Sequence, residues 1–196
     1  MAPAPTTEEA TRNAAGQSLP SRPPDDRPAP GPPARVAPPS SRDTAYTEGD
    51  VFRVRVPSNW RELPGSDAIT FAPDGAYGTV RGQHVFTHGV QIGVARNETH
   101  DLRTATDEFI GSLTRGNPNL SRPGRYGKTS IGGRKGLHTA LSNVSDATGG
   151  EERIEVFTIL LRDGNLFYVL GVAPRERAAD YQKTFRRVVK SIEIMD

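Results

Sequence analysis

Four histidines, His84, His88, His100 and His138, are the side chains of this sequence that can change charge near neutral pH. His84 and His88 are four apart, the spacing that sets two imidazoles on one helical face for a zinc ion. Zinc peptidases place a glutamate directly after the first of these histidines. Here Val85 stands there, and Gly82 and Gly89 flank the pair, so the H-E-x-x-H helix is absent. His100 and Asp101 could complete a site only if the intervening chain folds back. His84, His88 and His100 are therefore weak metal candidates, surface-loop histidines are the plainer expectation, and no cofactor is expected.

The stretch Gly124-Arg-Tyr-Gly127-Lys128-Thr129 resembles the end of a phosphate-binding loop, but two residues separate its glycines where four are needed. Gly132-Gly133 follows where a helix should begin. Ser142 and His138 share a predicted strand and a face, yet lie about 13 Å apart along it, too far for a nucleophile–base pair. The carboxylate pairs Asp107-Glu108 and Glu151-Glu152 are sequence neighbours whose side chains point apart on helix or strand. No G-x-S-x-G elbow occurs, and with no Cys there is neither a thiolate nucleophile nor a disulfide framework. No catalytic residue is expected, and the protein reads as a non-enzyme.

One charge asymmetry stands out. Between Glu108 and Asp146 there is no acidic residue, while Arg115, Arg122, Arg125, Lys128, Arg134 and Lys135 all occur. These six are the candidate binding residues, for a polyanion or an acidic partner. Tyr126 is their only aromatic companion, so the interleaved stacking residues of a nucleic-acid surface are missing, and a nucleic-acid partner is not expected. Trp60, the single tryptophan, reads as a plug at a sheet edge with its indole N–H bonded to backbone; an exposed partner contact is the alternative.

The scaffold for these residues begins late in the chain. Of 17 prolines, 11 lie between Pro3 and Pro39, a stretch with Leu19 and Val36 as its only branched aliphatics and no aromatic residue. Such a segment buries too little apolar surface to offset about 1–2 kcal/mol of backbone entropy per ordered residue. Residues 1–45 are expected to be a disordered, partly polyproline-like linker, and 46–196 a single domain large enough for a core of its own. The net charge of +2 argues for no particular partner, and no apolar run is long enough to span a bilayer. The N-terminus shows no export signal.

Within the domain, short strands are predicted at 51–56 and 68–72, each stopped by a proline, and an irregular Gly-rich loop at 74–88. A strand follows at 88–96, then a helix capped by Asp101 and ended by Gly116 and Pro118. Three strands at 135–145, 152–162 and 165–173 come next, the last two joined by a tight Asp163-Gly164 turn, and a helix at 175–192 closes the chain. From Val156 to Leu161 and from Leu166 to Val172, apolar residues fall on both parities, so these strands are expected to be covered on both faces. Two amphipathic helices are available, one per face. The fold class is α+β, an antiparallel sheet between helical layers, an α/β/α sandwich.

Several stretches carry a family resemblance: Phe52 to Trp60, Asn117-Pro118-Asn119-Leu120, Gly150 to Thr158, Tyr168 to Pro174, and the ending from Phe185 to Ile194. Together they resemble the PsbP-like domains, and most nearly the domain that follows the catalytic domain in some bacterial zinc metallopeptidases of the HtpX type. The resemblance covers about residues 50–195. It implies an α/β/α sandwich acting as a non-catalytic accessory or protein-binding module, associated with a membrane-bound metallopeptidase and located outside the cytoplasm. The chain would then be free-standing or the distal part of a longer product. The expectation is a tethered module that binds another protein through segments 74–88 and 115–135. A small-ligand or metal-binding protein, or a polyanion-binding module, is the alternative.

Overall fold

Alternation of apolar and polar residues sets the strands that frame the domain. The computed structural model describes residues 36–196 apart from 66, 81, 82, 122 and 123, and leaves out the side chains of residues 80, 83 and 84. The linker expectation up to residue 35, the place of Arg122 and the His84 side chain lie outside the described residues.

The first strand, β1 (Asp43–Glu48), pairs antiparallel with β2 (Phe52–Pro57) and crosses the expected boundary at residue 45. Polar contacts, which a hydrophobicity pattern does not register, hold the chain ahead of it. Asn59 Nδ2 donates to the Pro38 carbonyl at 2.9 Å, Arg187 Nη2 donates to the Ser40 carbonyl at 2.8 Å, and Arg187 pairs with Asp43 at 3.0 Å.

β3 (Trp60–Pro64) and β4 (Ala68–Pro73) follow. The segment expected to be an irregular loop at 74–88 is instead a hairpin, β5 (Tyr77–Val80) and β6 (Gln83–Phe86), with Tyr77 opposite Phe86. Its glycines disguised a short two-stranded ribbon. β7 (Gly89–Ala95) leads to α1 (Leu102–Gly116), which the Asp101 carboxylate caps by accepting from Thr104 N at 2.8 Å. Those backbone and side-chain bonds to Thr104 hold the Asp101 carboxyl below its ordinary range.

The 115–135 segment is likewise not all loop. β8 (Gly127–Ile131) turns through Gly132-Gly133, both at positive φ, into β9 (Arg134–Val144). β10 (Glu151–Leu160) and β11 (Leu166–Pro174) complete the meander, and the turn between them takes residues 161–165 rather than two residues alone. A 3-10 turn (Arg175–Arg177), α2 (Ala178–Lys190) and the short β12 (Glu193–Ile194) end the chain.

Two antiparallel sheets result beside the β5–β6 ribbon: β1-β2-β12, and the seven-stranded β3-β4-β7-β11-β10-β9-β8. Neighbouring residues of β10 and β11 enter two separate apolar clusters, which is why both parities are apolar. Phe157, Ile159, Phe167 and Val169 join Tyr181, Phe185, Val188 and Val189 of α2, with Phe52 and Val54 of β2. Val156, Tyr168 and Leu170 join Ile110 of α1 and Leu141 of β9. Thr158 meets Thr106 of α1 through a buried hydroxyl pair at 2.8 Å.

Candidate functional site

On the α1-facing side of the seven-stranded sheet, register brings Leu63, Thr70, Gln91, Leu170 and Val156 into one transverse row. Tyr168 lies two residues from Leu170 on β11, and its ring packs on Phe109 of α1 at 4.4 Å between centroids. Helix α1 has 15 residues, about 22 Å of rod, and does not cover the whole face. The remainder is a groove of about 920 Å³ with Leu170, Val172, Ile154 and Thr70 on its floor. The β5–β6 hairpin supplies one wall through Tyr77, Gly78, Thr79, Val85 and Phe86. The end of α1 and the chain after it supply another through Leu113, Asn117 and Leu120, and the end of β9 brings Asn143 and the turn after it Ser145 and Asp146. The two segments expected to carry recognition, 74–88 and 115–135, thus both reach one groove, the second by its first residues.

The groove is apolar with an acidic cast. Asp67, Asp146 and Glu152 line it, and its described lining holds no Lys, Arg or His. Glu152 is 7% exposed; its Oε2 accepts from Asn143 Nδ2 at 3.2 Å, while Oε1 and Asn143 Oδ1 are buried without a hydrogen-bond partner. Burial pushes this carboxyl above its usual range, and the Asp146 charge adds to the push, against hydrogen bonds from Ser145 and Asn143. Glu151 and Glu152 point apart as their adjacency requires, and the strand turns Glu151 out to Arg175 and Glu152 in.

A second buried carboxylate, Glu155, is provided for. Arg153 Nε donates to it at 2.7 Å and Gln182 Nε2 at 3.2 Å, and His138 Nε2 bonds its other oxygen. Burial alone would raise its pKa, but the bonds and charges of His138 and Arg153 outweigh that and hold it below the ordinary 4.5. Glu155→Gln should cost about 1–3 kcal/mol at neutral pH. The lowered native value means the stabilisation is complete above pH 4.5 and is lost as pH falls through the native pKa. Melting curves of the native and Glu155→Gln proteins should therefore converge in acid; a gap that stays constant down to pH 3 refutes the assignment. Glu155 orients His138, but Ser142 stands four residues further along β9, about 13 Å away, and no dyad forms.

Two of the metal candidates, His88 and His100, lie apart. His88, just before β7, is buried, with its ring 5.4 Å from that of Tyr181 and Nδ1 2.9 Å from Thr87 Oγ1. Burial, then the charge of Arg177, lowers its pKa. His100 follows β7 and is exposed, so the two sit at opposite ends of a strand about 20 Å long. Among the described residues no group of three potential ligands gathers.

The described basic candidates lie apart as well. Lys128 and Lys135 share one face of the β8–β9 pair, and Arg134, next in sequence to Lys135, points to the other. There Arg134 is tied to Asp196 at 2.5 Å and to the Leu160 carbonyl at 3.4 Å. Arg115 is exposed in the last turn of α1, and Arg125 is exposed ahead of β8. Tyr126 is engaged on α1, with Arg103 3.9 Å over its ring and its hydroxyl donating to Asp107. Trp60 is 7% exposed and stacks on Tyr181 at 6.4 Å, but its indole N–H finds no partner among the described residues, contrary to the expected backbone bond.

No protein-family model matches the chain, and no curated protein matches it by sequence. Solved structures do match by shape. The PsbP protein CyanoP from Synechocystis sp. PCC 6803 superposes with a TM-score of 0.57 at 12% identity, over 84% of this chain and 98% of that one. The Ran-binding protein Mog1p from Saccharomyces cerevisiae gives 0.55 at 11% identity, over 79% and 96%. A Bacteroides thetaiotaomicron protein gives 0.49 at 16% identity, over 78% of this chain but only 48% of its own. At these identities the likeness is one of fold: antiparallel sheets and two helices in a PsbP/Mog1-like arrangement.

Proposed function

We propose that this protein is a non-catalytic binding module whose groove receives an apolar segment of another protein. The observation that carries this reading is the stretch of sheet that α1 leaves open, floored by Leu170, Val172 and Ile154 and walled by the β5–β6 hairpin and the Asn117–Leu120 turn. Recognition concentrates on such connecting segments when a rigid sheet holds them. The charged groups of the described lining are all carboxylates. The likeness to Mog1p, a Ran-binding protein, is in keeping with a protein partner.

The reading includes the layering. The α2 cluster and the α1 cluster take opposite parities of β10 and β11, as a sheet sandwiched between two helices requires. The proline-rich composition ahead of residue 36 suits a tether for such a module. Among the described residues, no helix is long and apolar enough to cross a membrane.

Photo-crosslinking tests the reading. A Cβ built on Gly78 in the groove wall meets nothing within 4 Å, so a crosslinking side chain fits there without disturbing the fold. In source lysate, a protein adduct is expected from position 78 and not from position 128 at the far sheet edge. Gly78→Trp should reduce capture by a probe at position 79 at least about tenfold. Adducts from position 128 alone, or none from position 78, overturn it.

A further inference from the structure

The two buried glutamates of this domain differ in how their charge is met. Glu155 has Arg153, His138 and Gln182 around it. Glu152, on the groove side of the same strand, has Asn143 and Ser145, and the one other charge that acts on it is the carboxylate of Asp146. A buried carboxylate without a counter-charge is costly, and folded proteins either pair such a group or leave it to be paired by what binds. Two acceptor atoms are left over at this place, Glu152 Oε1 and Asn143 Oδ1, both buried and both without a donor. Glu152 and Asn143 also line the groove, beside Ile154 and Val172.

We propose that this end of the groove receives a basic side chain of the partner segment, its charged head between Glu152 Oε1 and Asn143 Oδ1 and its alkyl stem along Ile154, Val172 and Leu170. The proposal rests on the groove reading above and names the chemistry of its occupant: a short apolar stretch carrying one lysine or arginine. Three features converge on it. Among the described residues the carboxylate meets no cation, the neighbouring amide, its Nδ2 already given to Glu152 Oε2, leaves Oδ1 free to accept, and the floor beside them is aliphatic, which suits the methylenes of a basic side chain. Asp146, which also lines the groove, adds negative potential of the sign that attracts such a segment.

The test uses the full chain and two labelled peptides, acetyl-Leu-Val-Lys-Val-Leu-amide and the same peptide with norleucine for lysine, compared by fluorescence anisotropy at pH 7.5. Norleucine keeps the apolar stem and removes the charge, so the comparison on native protein needs no variant. The lysine peptide is expected to bind at least about tenfold more tightly, the effect of a charge pair formed inside a low-dielectric site. Glu152→Gln, which preserves shape, should bring the two affinities together, while Gly78→Trp should weaken both peptides alike. Equal binding of the two peptides to native protein, with Gly78→Trp weakening both, overturns the basic-side-chain proposal and leaves the groove reading standing. A preference for lysine that survives Glu152→Gln also overturns the proposal. No binding of either peptide, or binding of both that Gly78→Trp does not change, overturns the groove reading and the proposal with it.

Discussion

Gly89→Ala is expected to remove a large part of the domain's stability, about 2–6 kcal/mol. Gly89 sits at φ +131, a region that L side chains rarely adopt, at the point where β7 begins between β4 and β11. A Cβ there would run into the carbonyl oxygen of Phe71 and come within 3.0 Å of the Ala72 Cα, both backbone atoms of the adjacent strand. Strained backbone costs about 1–3 kcal/mol. Forcing packed neighbours apart costs about another 1–3 kcal/mol. A loss of about 2–6 kcal/mol compares with a whole-domain stability of about 5–15 kcal/mol. Gly133→Ala is the control: its φ is +77, but a Cβ there meets nothing within 4 Å. Its cost should stay near 1 kcal/mol, the conformational component alone. Urea titrations of the three proteins check this, and equal midpoints for the two variants would mean that β4 and β7 are not so closely apposed.

Phe185→Ala should cost about 3–5 kcal/mol, the range for emptying an aromatic site in a packed core. The Phe185 side chain is 1% exposed and lies flat against β11 where Gly171 provides room; a Cβ on Gly171 would stand 2.5 Å from the ring. Few side chains hold α2 to the sheets, chiefly Tyr181, Phe185, Val188 and Val189, so the loss of one is not shared among many. No residue of α2 lines the groove, so peptide affinity per folded molecule should not change. Thermal melts and anisotropy on the same sample separate the two effects. A stability loss below about 1 kcal/mol, or a parallel loss of affinity, would contradict this division of labour.

The elements that could be read from residue order are those with a long, regular period. β2, β4, β7, both helices and the β9–β11 meander carry runs of apolar residues at strand or helix spacing, and Asp101 marks the start of α1 by cap chemistry. The elements that escaped are short or polar. β1 is exposed apart from Tyr46, whose ring packs on Phe52 and Phe71, and is otherwise held by Arg187 and its register with β2. The β5–β6 hairpin and β8 are Gly-rich, and β3 runs through an exposed Arg61-Glu62 pair. Cross-strand hydrogen bonding stabilises such pieces, and its partners are distant in sequence.

The candidate site shows the same division. Segments 74–88 and 115–135 were marked from their glycines, and both reach the groove, whereas the described basic residues of the second are spread over both faces of the β8–β9 pair, the end of α1 and the chain ahead of β8. Glu152 gave no signal beside Glu151, because a strand sends neighbours to opposite sides and residue order does not say which side is wet. Residue order alone settled that the domain is α+β, that its central strands are buried on both parities, and that its familiar catalytic motifs are missing. These are properties of local spacing. Which carboxylate is buried without a cation, and that a hairpin, a helix end and a turn meet around it, depends on contacts between residues far apart in the chain, and local spacing does not encode those.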